Sequence, residues 1–232
     1  MENFAFYLIL PAMFNGPVYV IDFEGSWVGG IVEYGIVGIL LDKGIFETRT
    51  RLCQTNVPVA ISEYRCHGIL NRELVHCLPF SQDLGFFIKA RQQGIFCAHN
   101  AAFENQLLSR YCPVLEIEKS FATYDKRDMG WGPWLDTYGL YKHLLPRKVD
   151  CGLSHLIATL RLETNLNALA NKFCPSTRKK YHCALYDALA SALLLLKFAC
   201  MPQNQGKDLN AYIAQSILGV KAMYDRNQTT FL

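Results

Sequence analysis

Asp22 and Glu24 stand two residues apart at the end of an apolar, β-branched and aromatic run, Val18 to Phe23. A strand's period of two puts both carboxylates on one face, side by side. Like charges on so apolar a strand are costly unless paired or metal-bound, and a divalent cation is the natural way to hold them together. The competing account is a strand that runs out into a loop with two solvated acids. Glu104 falls in the first turns of a helix that follows the apolar run Ile95 to Ala98. The helix dipole favours a negative charge there in any case, so position alone does not separate ligand from dipole partner. Asp187 lies in an Ala- and Leu-rich helix, flanked by Ala184, Ala188 and Ser191. Small residues let that face approach another layer closely, which argues against an acid placed only for solvent. His182 precedes Asp187 by five positions, about 140° around a helix. Its imidazole therefore hangs over the site from the start of the helix, where a neutral ring can take a proton near pH 7. Oxygen ligands suit Mg²⁺ or Mn²⁺ better than zinc.

Three strands open the fold that must position these groups: Val18 to Phe23 after Gly16-Pro17, Ile31 to Leu41, and Gly44 to Leu52. Asp42-Lys43-Gly44 is the hairpin turn between the last two. A polar, loop-rich stretch runs through His67-Gly68-Ile69. Leu84, Phe87, Ile88 and Arg91 then recur at helical spacing, Gly94 closes that helix, and Ile95 to Ala98 is a brief buried strand. Asn100 is placed to cap a helix carrying Phe103, Leu107 and Leu108. Residues 113 to 134 carry no readable pattern. The spacing predicts a helix over Leu135 to Leu145, ended by Pro146, then helical stretches around Leu153 to Leu160 and Leu166 to Phe173. The strongest helix is His182 to Cys200. A loop at Pro202 to Gly206 leads to an amphipathic stripe of Leu209, Tyr212, Ile213, Ser216, Ile217 and Val220. Strands first, then alternating elements, then helices make an α/β layered fold.

Hydrophobic residues form 51% of the 232-residue chain and charged residues 19%, enough to bury a core and too ordered a balance for disorder or a coiled coil. A net charge of +3 is too mild to announce a nucleic-acid binder, yet an acidic metal site would hide part of a basic surface in that sum. Nine cysteines without a C-x-x-C pair favour reduced thiols and a cytoplasmic setting. Cys66-His67 and His76-Cys77 match no zinc spacing. Phe4 to Phe14 lacks a basic start, carries Pro11 and is far short of the roughly 20 residues of a membrane span, so no membrane partner is expected.

Taken together, the motifs resemble the DEDDh, or DnaQ-like, family of 3′–5′ exonucleases, which includes the proofreading epsilon subunit of bacterial DNA polymerase III. Asp22-Phe23-Glu24 resembles the first motif, His99-Asn100-Ala101-Ala102-Phe103-Glu104 the second, and His182 with Asp187 the third. Val32-Glu33-Tyr34-Gly35, His67-Gly68-Ile69 and Asp136-Thr137 match supporting positions. The resemblance spans roughly residues 17 to 200, leaving 1–16 as an apolar extension and 201–232 as a C-terminal loop and helix. It implies a ribonuclease H-like fold, a mixed central sheet with helices on both sides. Two departures stand out: Glu104 replaces the family's usual Asp, and Gly25-Ser26-Trp27 follows the first motif, where the terminal nucleotide is cradled.

The resemblance also implies two Mg²⁺ or Mn²⁺ ions. Asp22 would bridge both, Glu24 and Asp187 would complete the tighter site, and Glu104 would hold the second ion through water. His182 is then the general base, and Asp136 a supporting residue behind the site. Gly25, Ser26, His99, Asn100 and Phe103 are candidates for substrate contact. Arg178 and Lys179, just before His182, either steer phosphate or form a solvated face. Trp27, Trp131, Trp134 and Phe103 could stack bases, with core packing the competing role for Phe103. The expected substrate is a single-stranded DNA or RNA 3′ end, DNA slightly favoured, with release of nucleoside monophosphates. A weakly active or inactive binding module on the same fold is the alternative, and Glu104 is the feature that favours it. The end of the chain, Gln228 to Leu232, faintly resembles peptides that bind sliding clamps, so a DNA polymerase or clamp is a candidate partner.

Overall fold

This computed structural model describes residues 16–111 and 131–217. Its sheet begins as an antiparallel meander, β1 (Val18–Ser26), β2 (Gly30–Leu40) and β3 (Gly44–Leu52). Two short strands, β4 (Ile95–Ala98) and β5 (Trp134–Asp136), then add in parallel on the other side of β1. The order is β3-β2-β1-β4-β5, a mixed sheet with β1 at its centre.

The helices are α1 (Ile61–His67), α2 (Asn71–Leu74), α3 (Leu84–Gln93), α4 (Ala102–Tyr111), α5 (Thr137–Leu144), α6 (Leu153–Thr159), α7 (Glu163–Phe173) and α8 (Ala184–Ala199). Alternation along β1 decides which cover which face. Tyr19, Ile21 and Phe23 pack with Phe87 of α3 and Leu107 and Leu108 of α4. Val18 and Val20 point the other way, into the larger core built by α5 to α8. Asp22 and Glu24 continue that second row. They are therefore carried to the side of the sheet that α8 covers.

Four expectations need correcting. The stretch read as loop-rich before α3 holds two short helices: Glu63 and Glu73 each reach back to a backbone N–H, of Ala60 and Leu70, and close the first turns of α1 and α2. The region read as one helix from Leu135 begins as β5, whose three residues are too few to show a period of two. Asn100 is not the cap of α4. It adopts a left-handed φ of 73°, and the helix starts at Ala102, with the Ala101 carbonyl accepting from Asn105. Finally, α8 starts two residues after His182, whose own φ of 61° breaks the helical path.

Residues 209–217 are helical, and Leu209, Tyr212 and Ile213 join the larger core, with Tyr212 edge-on to Phe198. Among the described residues no helix is long and apolar enough to cross a membrane. The apolar run Phe4 to Phe14, most of the unreadable segment, Val220 and the last five residues lie outside the described residues.

Candidate metal centre

The β1–β2 register sets Gly35 opposite Asp22 and Glu33 opposite Glu24. A Cβ on Gly35 would stand 2.3 Å from both the Ala184 carbonyl carbon and the Leu185 nitrogen. The first turn of α8 thus rests directly on the strand, and only a glycine permits it. That approach brings Asp187, one turn further on, against the acids of β1. One carboxylate oxygen each from Asp22, Glu24 and Asp187 lie within 4.8 Å of one another. We expect Gly35→Ala to lift α8 and weaken Mn²⁺ binding at least about tenfold. Calorimetric titration of the folded variant checks this, and unchanged affinity refutes the close approach as the organiser of the site.

Burial and crowding push every carboxyl of the cluster upward. Asp22 is raised by burial first, then by the charges of Asp187, Glu24, Glu104 and Glu33. Burial takes Glu24 to about 8 and Asp187 to about 7, with the His182 N–H pulling Asp187 back. Glu104, on α4, reaches the same centre from the other helix layer. Burial raises it, while its own N–H and that of Phe23 steady the charged form. One oxygen of Asp187 and one of Glu104 are buried without any hydrogen-bond partner. Such orphaned acceptors are costly in a dry site. Oxygen-only donors, several negative charges and two unpartnered atoms fit hard divalent cations such as Mg²⁺ or Mn²⁺.

His182 sits at the exposed edge. Its backbone N–H donates to Asp187 Oδ2 at 2.8 Å, and its Nδ1 lies 3.3 Å from Cys66 Sγ. The segment carrying it is clamped by a buried ion pair. Arg178 Nε donates to Glu33 Oε1 at 3.0 Å, its Nη2 to Glu33 Oε2, and its Nη1 to the His67 carbonyl at 2.8 Å. Glu33 also accepts from the Ala184 N–H at 3.0 Å. The Arg178 guanidinium thus fixes the His182 segment against β2, an engagement that competes with the phosphate steering considered for it. Lys179 points its Nζ at Asn171, 3.0 Å away on α7.

His99 is engaged on both sides of its ring. Its Nε2 donates to the Cys151 carbonyl at 2.9 Å, so Nδ1 is left to accept from the Thr137 hydroxyl at 2.9 Å. Burial lowers the ring to about 4 and keeps it neutral. Both nitrogens tie β4 to its neighbours within the protein. Asp136 accepts from the N–H groups of Asn100, Ala101, Tyr138 and Gly139, joining the β4–α4 turn to the start of α5. Gly25 has φ 135° at a register shift, and any Cβ there would collide with the Gly30 carbonyl oxygen at 2.0 Å. Ser26 Oγ accepts from Gly29 N–H and shapes the turn that displays Trp27. Among the aromatics, Trp131 is buried and stacked on Phe96, which removes it from base stacking. Trp134 is half-buried with its indole N–H on Asn105. Phe103 is 37% exposed and Trp27 58%, so both face solvent.

Reading the sequence named Glu33 only as part of a supporting match and set Cys66 aside as a zinc ligand, yet both lie at this site. Glu33 carries a signal, a carboxylate amid an apolar strand that must be paired. Cys66 carries none, because its neighbour His182 is 116 positions away.

Solved structures place this arrangement among known folds. Exonuclease X in complex with 5′-overhanging duplex DNA is 22% identical at a TM-score of 0.60, over 86% of this chain and 99% of that one. The nuclease domain of 3′hExo, a DEDDh family member bound to rAMP, is 15% identical at a TM-score of 0.55, over 84% of this chain and 98% of the other. The fold is ribonuclease H-like. Exonuclease I of E. coli, in a zinc-bound complex with single-stranded DNA, matches at 13% identity and a TM-score of 0.56, over 80% of this chain but only 41% of its own. No protein-family model and no curated protein sequence matches the chain.

Proposed function

We propose that residues 17–200 form a divalent-cation-dependent 3′–5′ exonuclease that releases nucleoside monophosphates from single-stranded ends. The observation that carries this reading is the convergence of Asp22, Glu24 and Asp187 within 4.8 Å, with buried acceptors on Asp187 and Glu104 left unpartnered. Asp22, Glu24 and Asp187 would hold one Mg²⁺ or Mn²⁺, and Asp22 with Glu104 a second. Bound there, two such cations neutralise the carboxylates, lower the pKa of water and offset charge on the phosphate.

The chain's own residues do the rest. His182 takes the proton of the attacking water at Nε2, the ring nitrogen turned away from Cys66. Asp187, through the His182 N–H, keeps that ring beside the carboxylates. Trp27, with the Arg110 guanidinium 5.9 Å from its ring centre, offers a platform for a base, and Phe103, Asn100, Gly25 and Ser26 are the further residues proposed to contact substrate. Solved structures of similar fold hold duplex DNA with an overhang, rAMP, and single-stranded DNA, which suits a nucleic-acid substrate; DNA first and RNA second is part of the proposal. A cytoplasmic setting suits the free thiols. Tethering to a polymerase or clamp belongs to the same proposal.

The decisive experiment incubates matched 5′-labelled DNA and RNA oligonucleotides with Mn²⁺ or EDTA. A ladder shortening from the 3′ end only with the metal supports the reading. No cleavage of either polymer would leave the fold as a binding module. Glu104 separates charge from geometry within that assay. Glu104→Gln is expected to lose at least about ninety per cent of turnover, whereas Glu104→Asp retains most of it. Equal rates for wild type and Glu104→Gln would remove Glu104 from the metal site.

A further inference from the structure

A second group of potential ligands borders the carboxylates and differs from them in chemistry. Glu24 of β1, Cys66 of α1 and His182 before α8 each present one donor atom, all within 4.8 Å of one another. The sulfur and imidazole nitrogen already stand 3.3 Å apart. Tetrahedral zinc, with bonds of about 2.0–2.3 Å, separates its ligand atoms by about 3.3–3.8 Å. The trio is also held in place from behind. Arg178 donates to the carbonyl of His67, next to Cys66, and to the carbonyl of His182 itself at 3.5 Å, while pairing with Glu33. One half-buried guanidinium thus fixes the backbones that carry the thiol and the imidazole.

We propose that Glu24, Cys66 and His182 form an inhibitory zinc site at the mouth of the active centre. Thiol, imidazole and carboxylate make a donor set of borderline softness, suited to Zn²⁺, whereas Asp22, Glu24 and Asp187 offer only oxygen and suit Mg²⁺ or Mn²⁺. The charges balance: one carboxylate and one thiolate neutralise the dication, and the thiol proton leaves to solvent as the sulfur–zinc bond forms. No electron changes hands. Three protein ligands leave a fourth position to water. Glu24 is common to both sets, and zinc would hold the His182 ring away from its proton. The binding site stands on the geometry alone; its inhibitory effect rests on the nuclease reading above.

Cobalt(II) is the probe, because a thiolate ligand gives it a charge-transfer absorption in the near ultraviolet that oxygen ligands do not. Titrated into the full chain, Co²⁺ should develop that band to one equivalent, and Zn²⁺ should displace it. Cys66→Ser should abolish the band and His182→Ala should weaken binding at least tenfold, while Asp187→Asn leaves it intact. Cys66 is exposed, so its serine variant is expected to fold. A wild type without the band, or a band that survives Cys66→Ser, overturns the site. In Mn²⁺-driven hydrolysis, with each protein scaled to its own zinc-free rate, Cys66→Ser should need at least tenfold more Zn²⁺ for half-inhibition. Unchanged inhibition overturns the inhibitory role. Should wild type fail to hydrolyse any substrate yet show a band that depends on Cys66 and His182, the nuclease reading falls and the zinc site stands.

Discussion

Asp187→Asn is expected to lower turnover by about a thousandfold and, in the same protein, to raise the metal-free melting temperature. Two consequences of one buried charge are being separated. As the ligand proposed above, Asp187 would help concentrate positive charge where the phosphate reacts, a contribution of several kcal/mol, and about 4 kcal/mol is a thousandfold in rate. As a buried acid beside Asp22 and Glu24, it destabilises the fold whenever no cation is present, because like charges out of water repel. Asparagine keeps the shape and keeps an oxygen to accept the His182 N–H, so the segment bearing the base stays in place. With about 2–4 °C per kcal/mol for a domain of this size, the EDTA-treated variant should melt a few degrees higher than wild type. Adding Mn²⁺ should stabilise wild type and do far less for the variant. A variant that melts lower than wild type in EDTA would mean Asp187 is structural. A variant that keeps wild-type turnover would remove it from the site.

Much of this centre was legible because its chemistry conflicts with its surroundings. Charged residues at Asp22 and Glu24, on a strand whose first six residues are otherwise Val, Tyr, Ile and Phe, must have a purpose, and the period of two fixes their shared face. The small residues around Asp187 announced close packing, and Gly35 is the other half of that contact. Failures came where the cause lies far away in sequence. Arg178 reads as one of three consecutive basic residues, and only the fold reveals that Glu33 lies beneath it. His99 reads as part of a motif, but the Cys151 carbonyl that occupies it arrives from beyond the next strand and helix. β5 is three residues long and owes its conformation to pairing with β4, not to its own pattern. Asn100 shows a local rule losing to a tertiary one. Its type suits a cap, yet the Asp136 carboxylate takes its N–H and that of Ala101, and the backbone turns left-handed to allow this.

Acidity should act on this protein in a direction opposite to ordinary acid denaturation, and divalent cations should cancel it. Glu24 at about 8 and Asp187 at about 7 lie above their unfolded values of 4.5 and 3.8, chiefly through burial. A raised carboxyl favours folding while the native state holds a proton that the unfolded chain has released. Its contribution is complete below about pH 4 and is lost as pH rises through 7 and 8. Buried neutral histidines oppose this at the acid end. His67 is lowered by burial and His99 is held near 4, so both resist folding once the unfolded rings charge below about pH 6.5. The carboxylates therefore prevail between pH 8.5 and 6.5. In EDTA the melting temperature should rise as the pH falls across that interval, by several degrees at about 2–4 °C per kcal/mol. With saturating Mn²⁺ the charged carboxylates become the bound form, so the stabilisation added by the metal should be largest at pH 8.5 and shrink towards 6.5. Scanning calorimetry at four pH values, with and without metal, decides it. A metal-free melting temperature that is flat or falls from pH 8.5 to 6.5 would mean the cluster stays charged without a cation. In that case some other group on the protein already neutralises it.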